Sequence, residues 1–491
     1  MRNILSILTG ALGIAFLARA ITQADMGTLT VLTLISSLIQ LISDFGLSQT
    51  LSKYVAEFKG RGEDFSAYFV SSLIFKTSAA IIACLALFLL SGNISSALLK
   101  SEALHDLIRL MAIDAFISTF KPMLGSLLLG TGRLKGLAVC DVSSTAARWA
   151  AMVTLVFLGY GLYGAVAGWI LGDLCGVILY VAASSRLVRL NRDLLGKSYG
   201  LIPDLLRFSW PLLAASVVLF IYNWYDQALV IAFLPLESVG IYDVSRRAFG
   251  VLSGVSAALG QSLFPYYGMT YGKKDHKAIS VAIKRASRYT MLIVFPLTLG
   301  LFSTAKPSIT LFAGQRYESG WPILAIMAVF GLTLGISPAL TGLLIIYGKT
   351  RTVMLLNIIS VASSLALLPT LRLLGLNGLA VMRGTALLLT LLLNIYFLSK
   401  VVKVEIDKEA FIKALISSVI MAAAVYLAQQ VYYSKFLLPI YVLLGAAIYA
   451  VEMRALKVLN QSDVQLLTQL LGERKAALIT KLMGFNPRQN A

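Results

Sequence analysis

Apolar stretches about twenty residues long recur along this chain with only short polar breaks, and few folds can hold such a pattern. A helix needs about 20 apolar residues to cross the hydrocarbon of a bilayer. Roughly fourteen such stretches can be drawn. They lie at 3–22, 26–48, 67–91, 107–130, 137–158, 162–183, 208–234, 239–264, 282–304, 322–347, 352–371, 376–398, 411–431 and 436–453. Backbone groups inside a bilayer must be hydrogen-bonded within the segment, so spans of this length are helices. The shorter alternating pattern of membrane strands is absent. Hydrophobic residues make up 58% of the chain and charged residues 13%, where a soluble protein carries about 25% charged residues. The pattern predicts an all-α polytopic membrane protein.

The breaks between the spans set its orientation. Of the 42 Lys and Arg, about 29 fall on one side when successive loops are assigned to alternate sides. About 6 fall on the other side and about 7 inside spans, and cytoplasmic loops carry such an excess. Lys53, Lys59 and Arg61 follow the second span, Arg133 and Lys135 the fourth, and Arg186, Arg189, Arg192 and Lys197 the sixth. Lys273, Lys274, Lys277, Lys284 and Arg285 follow the eighth, Lys349 and Arg351 the tenth, and Lys400, Lys403 and Lys408 the twelfth. The opposite loops, such as Gly159-Tyr160-Gly161 and Leu234-Pro235-Leu236-Glu237-Ser238, carry no basic residue. Both ends are therefore expected in the cytoplasm, in a multi-pass protein of the cell membrane. The net charge of +19 does not point to nucleic acid, because the basic residues sit in short loops between apolar spans rather than on one soluble face.

The longest mid-chain break, 184–207, is polar and basic. It divides an expected N-terminal six-helix bundle, 1–183, from a second at 208–398, followed by helices 13 and 14 at 399–455 and a cytoplasmic amphipathic tail at 456–491. Across that break Ala24-Asp25-Met26-Gly27 aligns with Glu237-Ser238-Val239-Gly240, and Tyr54 with Tyr267, at one common separation. Parallel six-helix halves are a known transporter plan. In the tail, Ser462-Asp463 reads as a helix start, Leu466, Leu467, Leu470 and Leu471 as an apolar face, and Gly472 as a stop. With Arg474, Lys475 and Lys481, the helix suits the inner leaflet or the side of the bundle. Arg2, an apolar run and Ala18-Arg19-Ala20 imitate a secretory signal, but the apolar sequence resumes at once, as for a first membrane helix. Cys84, Cys140 and Cys175 have no metal-ligand spacing, and His105 and His276 stand alone, so neither metal nor cofactor is expected.

A charge at mid-bilayer costs about 2.5–3.5 kcal/mol even on the lenient insertion scale, so such residues face a bundle interior, a partner or a wet cavity. The charges placed at depth are Lys76, Asp114, Lys121, Arg148, Asp173, Asp226, Asp243, Arg246, Arg247 and Arg383, with Arg19 near the outer end of the first span. Asp243 can reach Arg246 or Arg247 on its own helix. A cavity rich in Arg and Lys suits an anion, and guanidinium matches phosphate in a bidentate way. The bland reading is a set of internal pairs, Asp114 with Arg148 and Asp226 with Arg246. Asp114, Asp173, Asp226 and Asp243 are candidates for such pairing or for ion coupling. Prolines at 211, 265, 296, 338 and 369 are expected to kink or break helices.

The segment Phe16-Leu-Ala-Arg19-Ala-Ile-Thr-Gln-Ala-Asp25-Met-Gly27, with Ser43-Asp44-Phe45-Gly46-Leu47-Ser48-Gln49, resembles the start of a polysaccharide flippase of the multidrug/oligosaccharidyl-lipid/polysaccharide (MOP) exporter superfamily. Arg246, Arg247 and Gly260-Gln261-Ser262-Leu263-Phe264-Pro265 resemble its eighth helix. The resemblance implies two six-helix bundles in a V-shaped, MATE-like arrangement, working by alternating access. It implies a polyprenyl-phosphate- or pyrophosphate-linked glycan flipped outward through a cationic central cavity, for cell-surface polysaccharide or glycoprotein glycan assembly. Arg19 and Arg246 or Arg247 match the family's basic positions. Lys76, Lys121, Arg148 and Arg383 join them as substrate-binding candidates on the depth argument alone. The expected partners are the glycan lipid, membrane lipids and Na+ or H+ as a coupling ion, in a monomer. The rival of the same superfamily is a MATE-type organic-cation antiporter, which would present acids to its substrate; Asp226 is compatible with it. A scaffold protein would not need buried charges on several helices, and an enzyme would usually need clustered acids on a loop or soluble domain.

Overall fold

In a computed structural model, residues 2–188, 193–273 and 276–458 are described, and every regular element among them is helical. The helices are α1 (Arg2–Ala20), α2 (Gln23–Asp44), α3 (Leu47–Arg61), α4 (Ser66–Leu89), α5 (Ser91–Ile94), α6 (His105–Ser118), α7 (Phe120–Gly130), α8 (Leu134–Leu155), α9 (Gly161–Ser184) and α10 (Asp193–Phe233). There follow α11 (Leu236–Gly272), α12 (His276–Ser303), α13 (Ala305–Ala313), α14 (Trp321–Phe330), α15 (Ser337–Ile346), α16 (Thr350–Ala366), α17 (Pro369–Leu374), α18 (Leu376–Ser399), α19 (Lys408–Val431) and α20 (Leu438–Ala455). They form two compact units, Met1–Arg247 and Ala248–Ala491. The helix at 208–233 and the first part of α11 thus belong to the first unit.

Eleven helices among the described residues are long and apolar enough to cross a membrane. The sequence figure of fourteen is not reached by that measure, for three physical reasons. The first and eleventh expected spans fold as shorter apolar helices, Thr9–Ala20 and Thr350–Ala366, and the fifth and sixth form one apolar run, Leu134–Ser184. That run is bent at Gly159 (φ 92°) and Gly161 (φ 52°), which separate α8 from α9. Part of the stretch expected as a basic linker, 184–207, is helical and continuous with α10. From residue 459 onward the expected tail, with its apolar face and Arg474, Lys475 and Lys481, lies outside the described residues, as do Arg189, Arg192 and Lys274.

In the first unit α2 is fixed at both ends. Thr22 and Asp25 form a capping box, each side chain accepting from the other's backbone N–H at 3.1 Å. At the other end Phe45 turns left-handed (φ 48°), and its ring lodges 5.7 Å from Phe75 and 6.3 Å from Trp210 between ring centroids. Helix association in lipid relies on close packing and polar contacts, because lipid tails are as apolar as the helices. Small residues provide that closeness. On α9, Gly164, Gly168, Gly172 and Gly176 recur every fourth residue and let α8 lie directly against it. A Cβ on Gly172 would stand 2.1 Å from the Arg148 Cα.

The aligned motifs of the two sequence halves meet in space. A Cβ on Gly27 would lie 2.0 Å from the Leu236 carbonyl oxygen, and one on Gly240 would lie 2.1 Å from the Gln23 carbonyl oxygen. Gln23 is to Leu236 as Gly27 is to Gly240 along the sequence, so the starts of α2 and α11 cross in a reciprocal contact. Any side chain at either glycine would have to push a backbone apart.

The second unit has an apolar core that includes Met291, Phe295, Leu340, Leu343, Leu356, Leu398 and Ala414. Pro296 lies inside α12, Pro338 in the first turn of α15 and Pro369 at the start of α17. Pro211 lies inside α10, together with Pro203. Proline at a first helical position costs nothing, since that N–H has no helical partner.

Candidate functional site

A cavity of about 270 Å³ opens within the first unit between α1, α2, α7, α8, α9 and the start of α11. Three helices bring a charged trio to its wall. Lys121 Nζ of α7 stands 2.8 Å from Asp173 Oδ1 of α9, and Arg148 of α8 stands 3.7 Å from the same oxygen. The glycine packing of α9 on α8 sets the second distance. Asp173 is buried, whereas the Lys121 and Arg148 side chains keep 21% and 27% of their exposure, so the cations reach the cavity and the anion backs them. The Arg148 guanidinium also lies 5.2 Å from the centre of the Trp169 ring, a cation–π contact. A second pair, Arg247 and Asp243, lines the cavity from α11 at 2.5 Å. Gln227 donates to the other Asp243 oxygen at 2.6 Å.

The rest of the wall mixes neutral polar side chains with aromatic and aliphatic ones. Thr33, Ser36, Ser37 and Gln40 of α2 and Ser118 of α6 line it together with Trp149, Trp169, Ile14, Leu17 and Met152. Gln40 Nε2 donates to Ser118 Oγ at 2.9 Å and to Ser36 Oγ at 3.2 Å. Ser36 in turn donates to Asp114 Oδ2 at 3.3 Å. Asp114 itself lies behind the wall, fully buried, and its Oδ1 has no hydrogen-bond partner. A second cavity of about 450 Å³ shares Gln40, Ser118 and Lys121 with the first and continues along Ser48, Gln49, Ser52, Ser126 and Ser144 to Asp141 and Tyr180. The Tyr180 hydroxyl donates to Asp141.

The structure sorts the sequence candidates. Lys121, Arg148, Arg247, Asp173 and Asp243 share the first cavity. Asp226 and Arg246 pair with each other at 3.4 Å, as the bland reading expected; Tyr242 donates to Asp226 at 2.9 Å, and Arg246 donates to the Asn223 carbonyl at 2.7 Å. The expected partnership of Asp114 with Arg148 is replaced by that of Asp173 with Arg148, because the α8–α9 packing brings Asp173 onto the guanidinium. Lys76 is fully buried and donates to Asp44 at 2.6 Å and to Ser48 at 3.2 Å, away from the cavity wall. Arg19 is exposed near the end of α1, and Arg383 is half-buried on α18 of the second unit. The cavity's three cations and two anions leave a surplus of one positive charge on its lining. Sequence reasoning passed over Trp149, Trp169 and the α2 hydroxyls. The signal of α2 was present: Thr33, Ser37, Gln40 and Asp44 recur at steps of four, three and four, a polar stripe at helical spacing.

An all-helical membrane chain with ion pairs around an internal cavity has known counterparts. The fold is that of the MOP superfamily. It is similar to a solved lipid II flippase MurJ in an inward closed conformation (TM-score 0.71, 15% identity, 92% of this chain and 96% of that one). It is also similar to an inward-facing multidrug resistance MATE family transporter of the MOP superfamily (TM-score 0.60, 15% identity, 82% and 95%). Within that fold the chain belongs to the polysaccharide biosynthesis protein family, whose pattern matches residues 16–322. Curated relatives include the succinoglycan biosynthesis transport protein ExoT of Rhizobium meliloti, 24% identical over 65% of this chain and 63% of ExoT. Another is the probable low-salt glycan biosynthesis flippase Agl15 of Haloferax volcanii, 21% identical over 84% of this chain and 85% of Agl15.

Proposed function

We propose that this chain is a flippase that carries a polyprenyl-phosphate- or pyrophosphate-linked oligosaccharide from the cytoplasmic to the outer leaflet by alternating access. The phosphate docks against Lys121 and Arg148, with Arg247 as a third cation. The observation that carries the reading is the cavity itself: cations with residual exposure, aromatic faces and a row of hydroxyls, enclosed by apolar helices. A glycan head group crossing bare hydrocarbon would strip many hydroxyls of partners at a few kcal/mol each or more. Thr33, Ser36, Ser37 and Gln40 offer replacement partners for them, and Trp149 and Trp169 offer apolar faces. The names of the relatives, a glycan biosynthesis flippase and a succinoglycan transport protein, support the same substrate class. Arg19, Arg246 and Arg383 are further basic candidates for substrate contact. Both termini lie in the cytoplasm on the strength of the basic loops, and the working unit is a monomer.

The test is flipping in liposomes of a fluorescent polyprenyl-diphosphate glycan, wild type beside the Lys121→Ala/Arg148→Ala double variant. Wild-type flipping that falls to the protein-free rate in a folded double variant supports the reading. Flipping that persists in the variant keeps the transporter and discards this anion site. Uptake of organic cations without any glycan-lipid flipping transfers the chain to the antiporter alternative.

A further inference from the structure

The charged contact between α8 and α9 has a second rung. Asp141 lies seven residues from Arg148 on α8, and Tyr180 lies seven residues from Asp173 on α9. Seven residues are about two helical turns and about 10 Å, so each step returns to nearly the same helix face. The two helices run in opposite directions, since Gly168, Gly172 and Gly176 meet Met152, Arg148 and Ser144 in turn. Arg148 therefore meets Asp173 on one rung, and the Tyr180 hydroxyl donates to Asp141 on the next. Gly176 lies between the rungs: a Cβ there would stand 2.8 Å from the Ser144 Cβ and 3.2 Å from the Lys121 Cδ. Lys121, Gln40 and Ser118 line both cavities, so the cavity of about 450 Å³ begins where the anion site ends.

We propose that this second cavity is a sugar subsite: it holds the second sugar of the glycan, counted from the phosphate, and Asp141 selects an uncharged sugar there. The inference rests on the anion-site reading above and adds to it the direction of the glycan and a limit on its composition. Phosphate at Arg148 and a sugar at Asp141 are about 10 Å apart, which leaves room for the first sugar beside Gln40 and Ser118. The glycan then points toward the basic loops. The second cavity is lined by the start of α3, the end of α7, the start of α8 and the end of α9, and Lys53, Arg133, Lys135 and Arg186 flank those ends.

The wall of this cavity offers acceptors. Ser144 and Thr145 donate to the Asp141 carbonyl at 3.2 and 2.8 Å, and Ser126 donates to the Met123 carbonyl at 2.7 Å. A hydroxyl has one hydrogen to give and two lone pairs, so these side chains have spent their donor and meet a ligand as acceptors. The Asp141 carboxylate is an acceptor as well, with about four lone-pair sites. Sugar hydroxyls bring the matching donors, and Pro122, Leu129 and Leu137 supply apolar surface for the carbon faces of the ring. A uronic acid brings a second negative charge to the same wall, and like charges set close together in a poorly hydrated site repel strongly. Among the described residues no group of three His, Cys, Asp or Glu is placed to hold a metal ion. The space itself depends on Gly125. A Cβ there would lie 3.4 Å from Leu137 and 3.6 Å from the Tyr180 ring, so a larger side chain would fill the cavity.

The probes are synthetic farnesyl diphosphates carrying glucose, glucosyl-glucose or glucuronosyl-glucose, titrated by calorimetry into the protein in lipid nanodiscs. The readout is the ratio of affinities within each protein, so a change at the anion site cancels. The wild type is expected to bind glucosyl-glucose about tenfold more tightly than glucose, and glucuronosyl-glucose about tenfold less tightly than glucosyl-glucose. In Asp141→Asn, whose side chain still accepts from Tyr180, the neutral and acidic disaccharides should bind alike. In Gly125→Leu the neutral disaccharide should bind no better than glucose. A wild type that gains nothing from the second sugar, or an Asp141→Asn variant that discriminates as the wild type does, overturns the proposal and leaves the anion site intact. Tetraphenylphosphonium that binds the wild type but not Asp141→Asn gives the cavity to an organic cation and overturns it as well. Farnesyl diphosphate binding that is absent, or unchanged in Lys121→Ala/Arg148→Ala, removes the anion site and with it the placement of the sugars.

Discussion

The two units handle charge in opposite ways. In the first, Lys76, Asp114, Asp173, Asp226 and Asp243 are all buried, and Asp173 and Asp243 line a cavity; in the second, among the described residues, Arg288 is the one buried charged side chain. Arg288 serves as a clamp. It pairs with Asp407 at 3.1 Å and donates to the Val458 carbonyl, which ties α12 to the start of α19 and the end of α20. A groove of the second unit, about 470 Å³, is mainly apolar, lined by Pro296, Leu297, Leu301, Met421, Val425 and Tyr441, with Thr304 and Ser308 but no charged side chain. Buried charge is expensive in either place. Where it ties helices together, one pair suffices; where it surrounds space, several pairs with partly exposed cations point to a ligand.

The comparison breaks most directly at the crossing of α2 and α11 in the first unit. Gly27→Val should abolish the folded first unit, because its Cβ alone would stand 2.0 Å from a backbone oxygen. The expected result is loss of monodisperse protein on extraction, against little effect of Gly272→Ala, where a Cβ meets nothing. Next in size, Lys76→Met should destabilise the first unit by about 3 kcal/mol, since breaking a buried pair by removing one partner costs about 3–5 kcal/mol and Asp44 retains some access to solvent. Reversible unfolding in detergent measures it, and a cost near zero would show that Lys76 is a spare charge rather than a staple.

The third contrast sets cavity against clamp. Lys121→Ala should weaken diphosphate binding by about 30-fold, in line with about 2 kcal/mol for a charge-assisted hydrogen bond, with little change in thermal stability. Arg288→Ala should do the reverse. Equal effects of the two on binding would erase the distinction between the units. The smallest effect concerns pH. Burial raises the Asp407 carboxyl, but the Ala410 N–H at 3.0 Å and the Arg288 guanidinium outweigh it and hold the group below its ordinary value. A depressed acid stabilises the fold above its unfolded value and loses that contribution as pH falls through the folded one. Asp407→Asn should therefore cost about 1 kcal/mol at neutral pH and nothing in strong acid, as read from melting temperatures between pH 7 and 3.

Much of the fold was legible because hydrocarbon leaves so little choice. The spans and their helical state follow from apolar length, and the Gly27 and Gly240 motifs were visible as an alignment before they were seen to touch. The pair Asp226 and Arg246 was also legible, lying on adjacent antiparallel spans at matching depth. The choice of Asp173 over Asp114 for Arg148 was not, because it depends on how far α9 can slide against α8, which the glycine row sets. Lys76 illustrates the same limit: its depth was readable, but its bond to Asp44 follows from the Phe45 turn between α2 and α3, a stretch that was read as a motif of the family and gave Asp44 no partner. The hydroxyls of α2 were overlooked because neutral polar residues are common in membrane helices and reveal a site only when a cavity lies beside them.

The central claim is that the anion of the substrate sits between Lys121 and Arg148 in the first unit. A structure of the protein in nanodiscs with a polyprenyl-diphosphate glycan bound tests it outright. The account predicts phosphate within hydrogen-bonding distance of both side chains, Asp173 turned away from them and the sugar against Trp149, Trp169 and the α2 hydroxyls. Phosphate held elsewhere, with the Asp173 bridge to Lys121 and Arg148 intact, would contradict it.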